Sequence, residues 1–203
     1  MANATATQLQ QLYIAYFARP GDPAGINYWV HAGTSTKAFA ASMWAQQEFQ
    51  DVYGELSVKD QINQLYINLF SRDGDDSGLN YWAEKIDSGE MELASIANDL
   101  IYAATYGDAE GSEDDLACLT NKTSAAVAFT EQAKSLDPAI CLYGEPMICT
   151  KSTYEPESTD PWKDGKIFEN VKEWMSSICK TVITFIPAEE LLEGGYTSYQ
   201  RGS

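Results

Sequence analysis

Histidine is almost missing from this chain: a single residue, His31, stands among 203. That scarcity removes the commonest general base and the commonest metal ligand as the foundation of a site. A lone histidine just after an NYW triplet reads as a surface or packing residue. Cysteine is absent from the first 117 residues, and the four that follow, Cys118, Cys141, Cys149 and Cys179, include no CxxC pair, so zinc is not expected. Basic side chains are few, 13 Lys+Arg against 30 Asp+Glu, for a formal charge of −17. Such a surface repels phosphate backbones and anionic lipid, which excludes nucleic acid as a partner. No apolar run approaches the roughly 20 residues of a membrane span, so no transmembrane segment is expected. The opening MANATATQLQ has neither a basic nor an apolar signal region, and an ordinary cleaved export signal is not expected there. Nucleophile elbow, P-loop and dinucleotide fingerprint are all missing, and no carboxylate pair stands out among the many acids. No catalytic residue is nominated and the chain reads as a non-enzyme.

What is present is a repeat. Residues 8–29, QLQQLYIAYFARPGDPAGINYW, align without a gap to residues 61–82, QINQLYINLFSRDGDDSGLNYW, with 13 of the 22 positions identical. Each copy reads as helix, tight turn, helix. Leu9, Leu12, Tyr13, Tyr16 and Phe17 form one apolar stripe, and Ile62, Leu65, Tyr66, Leu69 and Phe70 repeat it. Thr5 with Gln8 and Ser57 with Asp60 resemble capping boxes. Arg19 and Arg72 fall at helix C-termini, where the dipole favours a cation, and Gly21 and Gly74 supply the backbone freedom that ends the helix. Asp22 before Pro23 reads as an N-cap for the next helix. A third helix follows in each copy, one capped by Ser35, carrying Phe39, Met43, Phe49, Val52 and Tyr53 and closed by Gly54, the other after Gly89 with Leu93, Ile96, Ala97, Leu100 and Ile101.

The expected fold is therefore all-α. Two tandem three-helix units, about 5–54 and 57–106, pack together and are followed by a closing helix at 114–136, making one domain over 1–136. Residues 137–203 form a cysteine-containing helical C-terminal region. There a Ser, Thr, Pro and Glu-rich stretch leads to a helix at about 163–186 whose stripe is Ile167, Val171, Trp174, Ile178, Val182 and Phe185. An even number of cysteines suggests two disulfides and an oxidising compartment. If 114–136 is one helix, Cys118 lies about 27 Å along the axis from Leu136, whereas the five residues on to Cys141 reach at most about 18 Å. That disfavours Cys118 with Cys141. The preferred scheme is Cys141 with Cys149 and Cys118 with Cys179.

The LY, F-x-R, D-P-A-G and NYW elements of the repeat resemble the bacterial family catalogued as domain of unknown function 4214. The likeness runs over roughly residues 8–130, with NKTSAAVAFTE at 121–131 as the closing helix. The family occurs in secreted and surface-layer proteins and is similar to phycobilisome linker domains. The resemblance implies an all-helical, extracellular, non-catalytic module and carries over no catalytic residue.

Two constellations have alternative readings. Asp73, Asp75, Ser77 and Glu84 follow the spacing of calcium ligands in an EF-hand loop, but Asn80 interrupts the pattern and the first copy lacks the ligands, so the turn also reads as an Asp-capped turn without metal. Trp29, Trp44 and Trp82, with the tyrosines, could stack on sugars or pack the core. The functional expectation is a secreted or cell-surface structural and binding module meeting a protein, a glycan or another copy of itself at the cell envelope. The alternatives are an intracellular linker-type scaffold and a calcium-binding surface protein.

Overall fold

The structure is a computed structural model; its described residues are 2–107, 111–136 and 172–179. It is helical, with no strand among the described residues. In chain order come α1 (Ala6–Phe17), α2 (Pro23–His31), α3 (Thr36–Trp44), α4 (Gln47–Tyr53), α5 (Val58–Phe70), α6 (Asp76–Asp87), a 3₁₀ turn (Leu93–Ser95), α7 (Ile96–Tyr106) and α8 (Ser112–Leu136). Thr5 closes a full capping box with Gln8, and Ser35 and Ser57 accept from Ala38 N and Asp60 N. These caps satisfy amides that have no partner inside their own helix.

The third helix expected across residues 35–54 is two helices. Ala45 ends α3, Gln46 restarts the chain as α4, and the Gln50 amide reaches back to Trp44 O at 2.8 Å, satisfying a carbonyl that the break exposes. The bend turns Phe49 inward, with its ring 4.6 Å from Trp44 and 5.7 Å from Tyr16.

The first helix carries more than a stripe. Ile14 and Ala15 are as fully buried as Leu9 and Tyr16, because α1 is wrapped by α3, α5, α7 and α8. A helix apolar on most of its circumference belongs in the interior. Two polar rungs tie this interior together. Asn68 Nδ2 on α5 donates to Ala15 O at 2.8 Å, and Lys122 Nζ on α8 donates to Asn68 O at 2.5 Å. Ala15 and Asn68 occupy matching positions of the repeat, so α8 meets the end of α5 as α5 meets the end of α1.

Residues 172–177 form a short helical segment; with Ile178 it buries Trp174 and Met175, and Trp174 lies 5.8 Å from Phe129 of α8. Trp174 and Ile178 thus face the core as the stripe required. The remainder of the helix expected at 163–186, together with Cys141 and Cys149, lies outside the described residues.

Lys122 is a cation held at 1% exposure. Burial lowers its ammonium pKa to about 8 from 10.5, against a small opposing effect of the Cys118 and Cys179 thiols. The unfolded chain therefore binds more protons than the folded one between pH 8 and 10.5, and over that window Lys122 makes the fold more stable as pH rises. Lys122→Met leaves Asn68 O without its donor and should lower stability, and the parent's stability relative to this variant should rise as the pH is raised from 8 towards 10. Paired denaturant titrations across that range check this. A gap independent of pH would mean that the lysine is not held against its own charge.

Candidate functional site

The repeated motif builds the same turn twice. The helices end on Ala18 and Ser71, both at φ 54°, so the left-handed residue is not a glycine. Gly21 and Gly74 are needed for space instead. A Cβ on Gly21 would sit 2.6 Å from the Tyr13 ring, and one on Gly74 2.7 Å from Leu79. Their amides donate to Gln10 Oε1 and Asn63 Oδ1, both at 2.8 Å, at matching positions of the two copies. Asp22 and Asp75 cap α2 and α6 by accepting from Gly25 N and Gly78 N at 2.6 and 2.7 Å.

Each motif arginine is locked in a bidentate ion pair rather than left at a helix end. Arg19 donates to Glu48 on α4 at 3.2 and 2.9 Å, and Arg72 to Asp115 on α8 at 2.7 and 2.6 Å. The guanidinium lies over Tyr13 and Phe17 in the first copy and over Tyr66 in the second. Such forks are among the stronger hydrogen-bonded pairs. Sequence reasoning missed both acids, since nothing distinguishes Glu48 or Asp115 among 30 carboxylates.

The turns differ in what closes over them. In the first, Phe39 of α3 packs over the turn, its ring 5.4 Å from Tyr13 and 5.3 Å from Trp29. In the second, α7 offers Leu100, Ala103 and Ala104, and a cavity of about 340 Å³ opens between α5, α6, α7 and the start of α8. Tyr66, Tyr81 and Trp82 form its aromatic wall, and Arg72, Asp75 and Asp115 its polar side. The Trp82 indole donates to the Tyr66 hydroxyl at 3.0 Å, and burial pushes the Tyr66 phenol above its ordinary pKa. Hydrogen bonds from Ser77 and Gly78 hold the Asp75 carboxyl below the usual range, so it is an ionised acceptor. Tyr81 is half exposed, as is its counterpart Tyr28, and each sits edge-on to the neighbouring tryptophan.

The candidate calcium ligands do not converge. Asp73 accepts from Asn63 Nδ2, Asp75 binds Ser77 Oγ and Gly78 N, and Glu84 is exposed on α6. Among the described residues no three His, Cys, Asp or Glu side chains gather as a metal would require. His31 packs its Nδ1 2.9 Å from Asn27 O on its own helix. Trp44 packs on Phe49 in the core.

Cys118 and Cys179, the expected partners of one disulfide, are brought together and stand here as thiols. Each sulfur is engaged with a backbone carbonyl: Cys118 Sγ donates to Ile178 O at 3.7 Å and Cys179 Sγ to Phe70 O at 3.6 Å. Burial, reinforced by the neighbouring Cys179, pushes the Cys118 thiol up to about 12. The Cys141–Cys149 pairing lies outside the described residues.

Residues 40–104 match the model of the family described as Domain of unknown function (DUF4214). That span holds the second motif copy and the cavity's α5, α6 and α7 walls, but not the first copy. No curated protein and no solved structure matches the chain.

If the aspartates act as caps, Asp22→Ala and Asp75→Ala should each cost on the order of 1 kcal/mol, whether or not calcium is present. Melting curves of the parent in chelator and in millimolar calcium should coincide. A site filled at a hundredfold excess over its Kd would instead add about 2.7 kcal/mol, and the loss of that gain in Asp75→Ala would identify the turn as a metal site.

Proposed function

Because the chain belongs, through residues 40–104, to a family of unknown function, its role has to be read from its own surface, and we propose that it is a non-catalytic, secreted or cell-surface structural and binding module that mediates protein–protein or protein–glycan contact. One observation carries the reading. In each copy the motif arginine is ion-paired and the glycine amide is bonded to a side-chain oxygen, while Tyr28 and Tyr81, 48% and 50% exposed at matching positions, remain available to a partner. Tyrosine offers a large, stiff contact surface with a polar tip, which suits recognition. The acidic surface supports a partner that is neutral or basic. Self-association belongs to the same reading.

An oxidising location is part of the proposal, and there Cys118 and Cys179 would rotate off their carbonyls and join. The alternative, an intracellular linker-type scaffold, is favoured by the carbonyl-bonded thiols as they stand. Intact mass after alkylation, with and without prior reduction, separates the two. Protein recovered from its native compartment should show the 118–179 crosslink, and reduction should lower its stability by up to about 4 kcal/mol for a loop of that length. Two freely alkylated thiols at Cys118 and Cys179 would place the chain in a reducing compartment and reverse the choice.

A further inference from the structure

A cavity lies beside the turn of the second copy, and its lining has the chemistry of one ligand class. From this we infer that the cavity beside the second turn binds a single neutral sugar ring, an assignment that rests on the binding-module reading above. At about 340 Å³ it lies at the small end of the roughly 300–1,000 Å³ range of small-molecule sites, room for one ring rather than an extended chain. Its sides are chemically unlike. Tyr81 and Trp82 supply aromatic surface and Ala103 an aliphatic floor, whereas Asp75, Asp115 and Arg72 supply hydrogen-bonding groups. A pyranose is divided the same way, with a C–H face that packs on an aromatic ring and an equatorial belt of hydroxyls that donate and accept.

The polar complement suits hydroxyls better than ions. Arg72 and Asp115 already neutralise one another, and both hydrogen bonds to Asp75 fall on Oδ1. The Tyr66 hydroxyl accepts from Trp82 and keeps its own proton to donate. A carboxylate-bearing sugar would meet Asp75 and a chain of net charge −17, so uronic and sialic acids are disfavoured. In the first copy Phe39 packs against Tyr13 and Trp29, the counterparts of Tyr66 and Trp82.

The test is an array of saccharides ending in neutral hexoses, N-acetylhexosamines, uronic acids or sialic acid, probed with the full chain. Hits are then titrated as methyl glycosides by tryptophan fluorescence. Binding should be confined to neutral sugars. Tyr81→Ala and the cavity-filling Ala103→Leu should each weaken it at least tenfold with the melting temperature nearly unchanged, while Tyr102→Ala, an exposed tyrosine outside the cavity, should leave it intact. Equal losses in Tyr102→Ala and Tyr81→Ala, or preference for the acidic sugars, would overturn the assignment. So would a parent chain that binds no saccharide at millimolar concentration. If that parent still captured an envelope protein through Tyr81, only the sugar class would fall; if it captured none, the binding-module reading would fall with it.

Discussion

Buried helix ends govern this structure. The last carbonyls of an α-helix have no partner within it, and leaving them unpaired in an apolar interior is costly. Both α1 and α5 end inside the molecule, and side chains from later in the chain satisfy them: Ala15 O takes Asn68, Asn68 O takes Lys122, and Phe70 O takes the Cys179 thiol. The turns after these helices need closing too. Asp115 near the start of α8 holds Arg72, and Thr130 further along donates to Gly21 O while accepting from Gln10. One helix serves both turns, with its two anchor points about 22 Å apart along the axis. A buried lysine is tolerable in this setting because its ammonium lies at a helix C-terminus, where a cation is favoured.

The same economy bears on function. The motif is dense in Arg, Asp, Asn, Tyr and Trp, and in each copy the arginine pairs with an acid on another helix, the aspartate caps its own turn and a side-chain amide oxygen accepts from the glycine N–H. The copies then diverge in the helix laid over the turn, where α3 contributes a phenylalanine and α7 contributes leucine and alanines. Duplication followed by loss of bulk on one side is a simple route from a packing element to a pocket, because the surrounding scaffold already holds the walls in place.

Much of the local structure was legible in the sequence because it follows from short-range chemistry. The caps at Thr5, Asp22, Ser35, Ser57 and Asp75 all depend on a side chain reaching an amide two or three residues ahead. Other features were hidden because they are long-range. Nothing adjacent to Glu48, Asp115 or Lys122 indicates which turn each will meet. Gly21 and Gly74 were read as the residues whose backbone freedom ends each helix, whereas Ala18 and Ser71 take the left-handed conformation there. The break between α3 and α4 was missed because the apolar spacing continues through it. The cavity could have been suspected only by comparing the third helices, where Phe39 has no aromatic counterpart among Leu100, Ala103 and Ala104.

The central claim is that α8 completes the fold by closing both motif turns. Its most direct test is thermal unfolding, followed by circular dichroism, of a chain ending at residue 107, which retains both copies of the motif but no α8. Loss of the α8 partners of Asn68 O, Gly21 O and the Arg72 guanidinium should leave this chain without a sharp cooperative transition and with reduced helix content. A cooperative melt at the temperature of the full chain would contradict the account and show that each repeat closes its own turn.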